Sequence, residues 1–130
     1  MKRTYREFQK IASELKPEGR AFIDGQFCDA ADGTTFITEN PATGETLTKV
    51  AHCKNTDVDR AVAAARRVFN AGTWSRAEPE ERKEVLLKIA QLVREHTDEL
   101  AVLESLDTGK TINDCLDEIG GEVPNFFQWY

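Results

Sequence analysis

The apolar period of the chain changes at Asn55, and this change constrains the fold more than any other feature. Beyond it, apolar residues recur every three or four positions, the spacing of helices with one buried face. Val58, Val62, Ala65, Val68 and Phe69 line one such face. Thr56 is the expected N-cap, with Asp57 and Asp59 near the positive end of the helix dipole, and Gly72 ends the helix. Pro79 fits the first turn of a second helix whose stripe is Val85, Leu86, Ile89, Leu92 and Val93. Thr97-Asp98-Glu99 offers a fresh cap, so a break and a third helix through Leu106 are expected, closed by Gly109. A shorter helix is predicted over 111–119, interrupted by Gly120-Gly121.

Before Asn55 the chain is punctuated by turns. Tyr5, Phe8, Ile11, Ala12 and Leu15 predict a short amphipathic helix over 4–16, opened by a Thr4/Glu7 capping box and stopped by Pro17 and Gly19. Phe22-Ile23 and Phe27-Cys28 flank Asp24-Gly25-Gln26, a hairpin with a left-handed turn. Residues 34–38 are β-branched and aromatic, Asn40-Pro41-Ala42-Thr43-Gly44 is a turn by composition, and 45–52 is the expected return strand. The layout is thus a leading helix over 1–19, hairpins over 20–54 and helices over 55–130.

Composition narrows the partners. Lys and Arg total 17 against 23 Asp and Glu, a net charge of −6, so a nucleic-acid partner is disfavoured for want of cations. No apolar run is long enough to span a bilayer, so no membrane partner is expected. Glu7, Gln9, Lys10 and Glu14 interrupt what would be the apolar stretch of a secretory leader. Three cysteines, Cys28, Cys53 and Cys115, are an odd and widely spaced set, which fits reduced thiols and a cytoplasmic location. Phe126-Phe127-Gln128-Trp129-Tyr130 gathers four aromatic residues in the last five positions, and partners for them are expected beyond Tyr130.

Four stretches in this order resemble the N-terminal region of NAD(P)-dependent aldehyde dehydrogenases. They are Phe22-Ile23-Asp24-Gly25-Gln26-Phe27, Asn40-Pro41-Ala42-Thr43-Gly44-Glu45, the run from Asp57 through Ala61-Val62-Ala63-Ala64-Ala65-Arg66 to Trp74-Ser75, and Leu103-Glu104-Ser105-Leu106-Asp107-Thr108-Gly109-Lys110. Glu81-Arg82-Lys83 opens the long helix between the last two. The likeness covers about Arg20 to Tyr130 and is nearest to the bacterial group acting on γ-glutamyl-γ-aminobutyraldehyde and other aminoaldehydes, as the leading helix and Arg20-Ala21-Phe22-Ile23 suggest.

The resemblance implies an α/β fold of which this chain, mostly helical with N-terminal β-hairpins, is an incomplete domain at the front of the NAD-binding part. It implies a small-molecule aldehyde as substrate, NAD or NADP as cofactor, and a homo-oligomer at full length. Catalytic and cofactor-binding residues are expected downstream, none in this chain. Members of the family hold a structural K⁺ or Na⁺, and the matching positions here are Thr38, Glu39 and Asp107. Carbonyls and one carboxylate suit a hard monovalent cation. The alternative is that Asp107 caps the Thr108-Gly109 turn with its own side chain.

Other motifs are weaker. Gly25-Gln26-Phe27-Cys28-Asp29-Ala30 matches the pattern around the family's nucleophile, and Glu118-Ile119-Gly120-Gly121-Glu122 nearly matches that around its general base. Their order along the chain is reversed relative to the family. Cys28 is expected in a hairpin with no helix N-terminus or cationic neighbour to favour a thiolate. Gly109-Lys110-Thr111 ends like a P-loop, but the required upstream glycine is Glu104 and the segment follows a helix. His52-Cys53, on a strand, would point to opposite faces. No zinc spacing and no Gly-x-Gly-x-x-Gly run occur. Two readings follow: part of an aldehyde-oxidising enzyme, or a non-catalytic module that binds a protein through its aromatic end.

Overall fold

The computed structural model describes residues Arg3–Trp129, so Tyr130 of the aromatic run lies outside them. Helix α1 (Tyr5–Glu14) begins where the capping box predicts: the Thr4 backbone N–H donates to Glu7 Oε2 at 2.6 Å, and Glu7 N donates to Thr4 Oγ1 at 3.4 Å. The helix is two residues shorter at its C-terminal end than expected, because Leu15 is already extended. No residue of α1 is fully buried, and it rests on one face against a later helix.

Two antiparallel hairpins follow and form two separate two-stranded sheets. Strand β1 (Ala21–Ile23) pairs with β2 (Gln26–Cys28), setting Phe22 opposite Phe27. Their rings meet edge to face at 5.0 Å, and the turn residues Asp24 and Gly25 both have positive φ, 55° and 77°. Strand β3 (Thr35–Glu39) pairs with β4 (Thr46–Ala51). The register slips between Thr38 and Glu39, which leaves Leu47 as the extra residue of a bulge. Gly19 runs against β4 so closely that a Cβ there would lie 1.8 Å from the Lys49 carbonyl oxygen, and its own carbonyl accepts from Ala51 N at 2.7 Å.

The rest is helical. Helix α2 (Asn55–Ala71) starts one residue before the expected cap: Lys54, not Thr56, is the N-cap. The reason is Asp57, whose carboxylate reaches back to accept from Lys54 N at 3.1 Å and fixes the first turn there. Helix α3 (Pro79–Glu95) carries Pro79 at its first position, and α4 (Thr97–Thr108) starts at the expected break, running two residues past Leu106 before Gly109 adopts φ 75°. His96 is the joint, closing one helix and opening the next.

Helix α5 (Ile112–Asp117) has Thr111 as its cap, whose hydroxyl accepts from Asp114 N at 3.4 Å. The expected interruption at Gly120-Gly121 is not a break. Residues Glu118–Glu122 form a π-helical turn that passes directly into α6 (Val123–Trp129). Glycines tolerate the widened turn, and Gly120 lets it pack against the α3–α4 joint: a Cβ there would meet Thr97 Cγ2 at 2.9 Å. Pro124, buried in the first turn of α6, sits where the wider ladder does without its missing N–H.

The buried residues are small and centre on α4. Ala101 and Cys115 are wholly buried and Val102 nearly so, with Ala90 from α3 and Pro124 from α6 completing the cluster. Helix α3 packs on α6, α1 on α4, and α4 on α5. Large apolar side chains remain outside: Phe22, Val62, Phe69, Phe126 and Trp129 are all more than half exposed.

Candidate functional site

The four stretches that carry the family likeness meet in two pairs. The β1–β2 hairpin faces α2: Phe22, Ile23, Asp24 and Gly25 share a cavity of about 550 Å³ with Ala61, Ala64, Ala65, Phe69, Trp74 and Ser75. An ion pair between Asp24 and Arg67 ties hairpin to helix. The second pair is the Asn40-Pro41 turn and the end of α4. Pro41 packs on Gly109, where an added Cβ would lie 3.0 Å from Pro41 Cγ. One side of the turn is held by Asn40 Oδ1, which accepts from Ala42 N at 2.9 Å.

Thr38 and Asp107 come together at this second junction. Thr38 Oγ1 donates to Asp107 Oδ1 at 2.6 Å across 69 positions of sequence. Thr38 and Glu39 flank the register slip between β3 and β4, whose extra residue, Leu47, lies on β4. The alternative role for Asp107 was to cap the Thr108-Gly109 turn. That turn is instead closed by Lys110 N donating to Thr108 Oγ1 at 3.2 Å and Gly109 N donating to the Ser105 carbonyl at 3.0 Å, while Asp107 binds Thr38. Among the described residues, no group of three or more His, Cys, Asp or Glu side chains converges as a metal cluster.

Lys110 lies beside this junction but faces the other way. Its Nζ is 3.7 Å from Glu104 Oε1 and is in closer contact with Glu118 Oε2. The Glu118 bond holds the ammonium charged and pushes its pKa up, against the opposing pull of desolvation. A lysine bound to two carboxylates is not free to reach a phosphate, which fits the missing P-loop glycine. Glu118, half-exposed, anchors the π-helical turn through the same contact.

Cys28 lines a cavity of about 340 Å³ with Asp24, Gln26, Arg60, Ala63, Ala64 and Arg67. The expectation of no cationic neighbour is therefore wrong: packing of the hairpin on α2 brings two guanidinium groups to it. Both are paired with carboxylates, Arg60 with Asp57 at 3.6 Å and Arg67 with Asp24. The lining contains no histidine to serve as a base. Cys53 and Cys115 have thiols pushed up chiefly by burial, the wrong direction for a nucleophile. His52 and Cys53 lie past the end of β4 rather than on the strand. The His52 ring is edge-on to Phe36 at 5.9 Å, and its backbone N–H donates to the Thr34 carbonyl at 2.9 Å.

Sequence reasoning missed Asp57, the main polar anchor of the hairpin region. Its side chain is 3 % exposed, with Oδ1 accepting from Ala31 N at 2.9 Å and Oδ2 from Lys54 N. An aspartate early in a helix reads as a dipole partner; only the fold reveals that it also ties in the loop after β2.

Comparison with known proteins agrees with the paired stretches. The aldehyde dehydrogenase family profile matches residues 27–130. An aminoacetaldehyde dehydrogenase of Pseudomonas aeruginosa is 50% identical over 124 residues, covering 95% of this chain and 25% of that protein. The solved γ-glutamyl-γ-aminobutyraldehyde dehydrogenase of Burkholderia cenocepacia superposes with a TM-score of 0.92 at 48% identity, over 95% of this chain and 25% of that one. A mutant indole-3-acetaldehyde dehydrogenase of P. syringae, in complex with NAD⁺, superposes at 0.94 with 42% identity, over 98% of this chain and 26% of that one. The chain thus spans about a quarter of the length of the relatives it matches. With the profile match, the identity and the shared fold together, the chain belongs to the aldehyde dehydrogenase family.

Proposed function

We propose that this chain is the front part of the NAD-binding domain of an NAD(P)-dependent enzyme that oxidises an aldehyde, in particular an aminoaldehyde, to the carboxylic acid. The observation that carries the reading is half-identity to an aminoacetaldehyde dehydrogenase across 95% of the chain. In this reading the dinucleotide, whose chemistry is to accept hydride, is held by the remaining three-quarters of the enzyme. The nucleophile and the water-activating carboxylate likewise belong, in this reading, to the remaining three-quarters of the enzyme. What these residues supply is a scaffold: a hairpin fixed on α2, and a turn fixed on the end of α4.

Within that scaffold we assign Thr38, Glu39 and Asp107 to a structural K⁺ or Na⁺. The donor set suits it: a hydroxyl and a carboxylate converge at Thr38 and Asp107, and the main-chain carbonyls of Thr38 and Glu39 lie at the irregular end of β3. The same reading makes the whole enzyme a cytoplasmic homo-oligomer. Its support is the family likeness and three free thiols among the described residues; no described helix is long and apolar enough to cross a membrane.

The test is an assay of the full-length protein with aminoacetaldehyde and either NAD⁺ or NADP⁺, following reduced cofactor. Turnover that survives Cys28→Ala supports the reading. No reduction of either cofactor with any aldehyde refutes it and favours the second reading, a non-catalytic interaction module. The observation behind that alternative is the exposure of Phe126 and Trp129, 63% and 84%.

A further inference from the structure

Helix α3 turns one stripe inward. Arg82, Leu86, Ile89, Ala90 and Val93 are its buried or half-buried residues, and they recur at helical spacing. Four of them are apolar. The fifth is a guanidinium whose Nε is buried and has no hydrogen-bond partner among the described residues. A buried charged donor without an acceptor is costly, and folded proteins rarely keep one.

The course of α6 points to where an acceptor comes from. Helix α6 is the main element packed on α3, and the two run antiparallel. Gly120, just before α6, meets Thr97, just past the end of α3. Further along α6, Asn125 Oδ1 and Gln128 Oε1 accept from the Arg94 guanidinium at 3.3 and 3.0 Å, one turn back down α3. Arg82 lies twelve residues before Arg94, about 18 Å lower on the helix axis at a rise of 1.5 Å per residue. The described part of α6 reaches Trp129, one residue past the Arg94 contact. This chain spans about a quarter of the length of its relatives, so ample chain is available to carry the same path further.

We propose that the segment following Tyr130 continues antiparallel along α3 and delivers an aspartate or glutamate to Arg82. The proposal rests on the enzymatic reading above for that continuation. Repeating the Arg94 register at Arg82, with a turn of slack, places the acid about five to fifteen residues after Gln128. A carboxylate is the matching partner because its two oxygens accept from Nε and a terminal nitrogen of the planar guanidinium together, and it neutralises the half-buried charge. Arg94 thus clamps one end of the stripe through neutral amides, and Arg82 clamps the other through an ion pair. Between them they hold α3 against the helix that leaves the π-turn.

A crystal structure of the full-length protein tests this directly. Arg82 Nε is expected within about 3.0 Å of a carboxylate oxygen from that stretch. An acceptor from any other part of the chain, from water or from a second copy overturns the proposal, and so does an Nε that stays unpaired. A double-mutant cycle gives an independent measure. In the full-length protein, Arg82→Gln and the amide variant of that acid should each lower the melting temperature by about 5 °C, and the double variant by little more than either alone. If Arg82→Gln does not fold, Arg82→Lys takes its place in the cycle. Additive losses overturn the pairing. Neither measurement depends on turnover: a full-length protein that oxidises no aldehyde would defeat the enzymatic reading, and the structure and the cycle would still decide the contact.

Discussion

Asp57→Ala should be among the most damaging surface-distant substitutions in this chain, and the structure sets its size. The carboxylate is 3 % exposed and accepts from two backbone N–H groups, Ala31 N at 2.9 Å and Lys54 N at 3.1 Å. Removing the acceptor leaves two donors unsatisfied, at about 1–3 kcal/mol each. Both sites are part-buried rather than sealed, so the lower half of that range applies, about 3 kcal/mol together. The Arg60 contact, at 3.6 Å with a guanidinium 50% exposed, adds at most about 0.5 kcal/mol. Asp57→Asn keeps one carbonyl oxygen and turns an NH₂ toward the other donor, so it should lose roughly half as much. The assay is hydrogen exchange at the two amides. Each 1.4 kcal/mol is about a tenfold faster exchange, so Ala31 and Lys54 should each exchange about tenfold faster in Asp57→Ala, while amides in α3 change less. In Asp57→Asn one of the two amides should stay protected. Equal effects of Asn and Ala, or unchanged protection at both amides, would refute the idea that this carboxylate ties the loop after β2 to the start of α2.

Gly19→Ala should be far worse than Gly72→Ala, because the added Cβ meets a backbone carbonyl at 1.8 Å in the first case and the movable Arg76 guanidinium in the second; thermal melting of both variants ranks them. The Glu18 carboxyl is held down to about 2, chiefly by the Arg20 side-chain hydrogen bond, so its contribution to stability is present above its ordinary value of 4.5 and lost as pH falls from there toward 2. A carboxyl-carbon NMR titration should return Glu18 toward its ordinary value in Arg20→Gln, and an unchanged midpoint would sink the assignment. Cys115 should resist a thiol reagent in the native protein while Cys28 and Cys53, half-buried, react; rapid labelling of Cys115 would contradict its burial. In the full-length protein, KCl should raise the melting temperature relative to choline chloride, and Asp107→Ala should abolish the difference; potassium-independent melting of wild type would remove the cation site.

Much of the helical half was legible because each end carries a local chemical signal. Pro79 and Gly109 stand where a helix starts or stops, and the structure follows both; α4 opens at the expected break, but His96 is its N-cap, and the Thr97 hydroxyl donates back to the Val93 and Arg94 carbonyls at 3.0 Å instead of capping. The Asp24-Gly25 turn was legible for the same reason, since φ > 0 at both residues needs side chains that tolerate it. The misses share the opposite character. Helix α2 starts at Asn55 rather than after Thr56 because Asp57 reaches back to Lys54 and outward to Ala31 at once, and only the second contact explains why the first is fixed. Gly120-Gly121 reads as a helix break by propensity, a cost of about 1 kcal/mol per glycine relative to alanine. It becomes a π-turn because Gly120 must approach Thr97 and Lys110 holds Glu118 from the other side. Thr97 and Gly120 are far apart in sequence, and no periodic pattern announces either that approach or the Lys110–Glu118 contact.

The same distinction governs the candidate site. Thr38, Glu39 and Asp107 were assigned by family likeness, and nothing in their local sequence links residues 69 positions apart; the hydrogen bond between Thr38 and Asp107 arises because the Asn40-Pro41 turn seats on Gly109. Gly109 therefore has two roles that cannot be separated in sequence. Its left-handed backbone ends α4, and its missing side chain admits Pro41. A residue with a Cβ would strain the cap and also push the turn away, moving Thr38 off Asp107. The oxygen donors at this junction thus depend on a glycine that touches neither of them. The motif Leu106-Asp107-Thr108-Gly109-Lys110 is best understood as one device: an acid for the strand, a cap for the helix, and a lysine turned away to hold the π-turn.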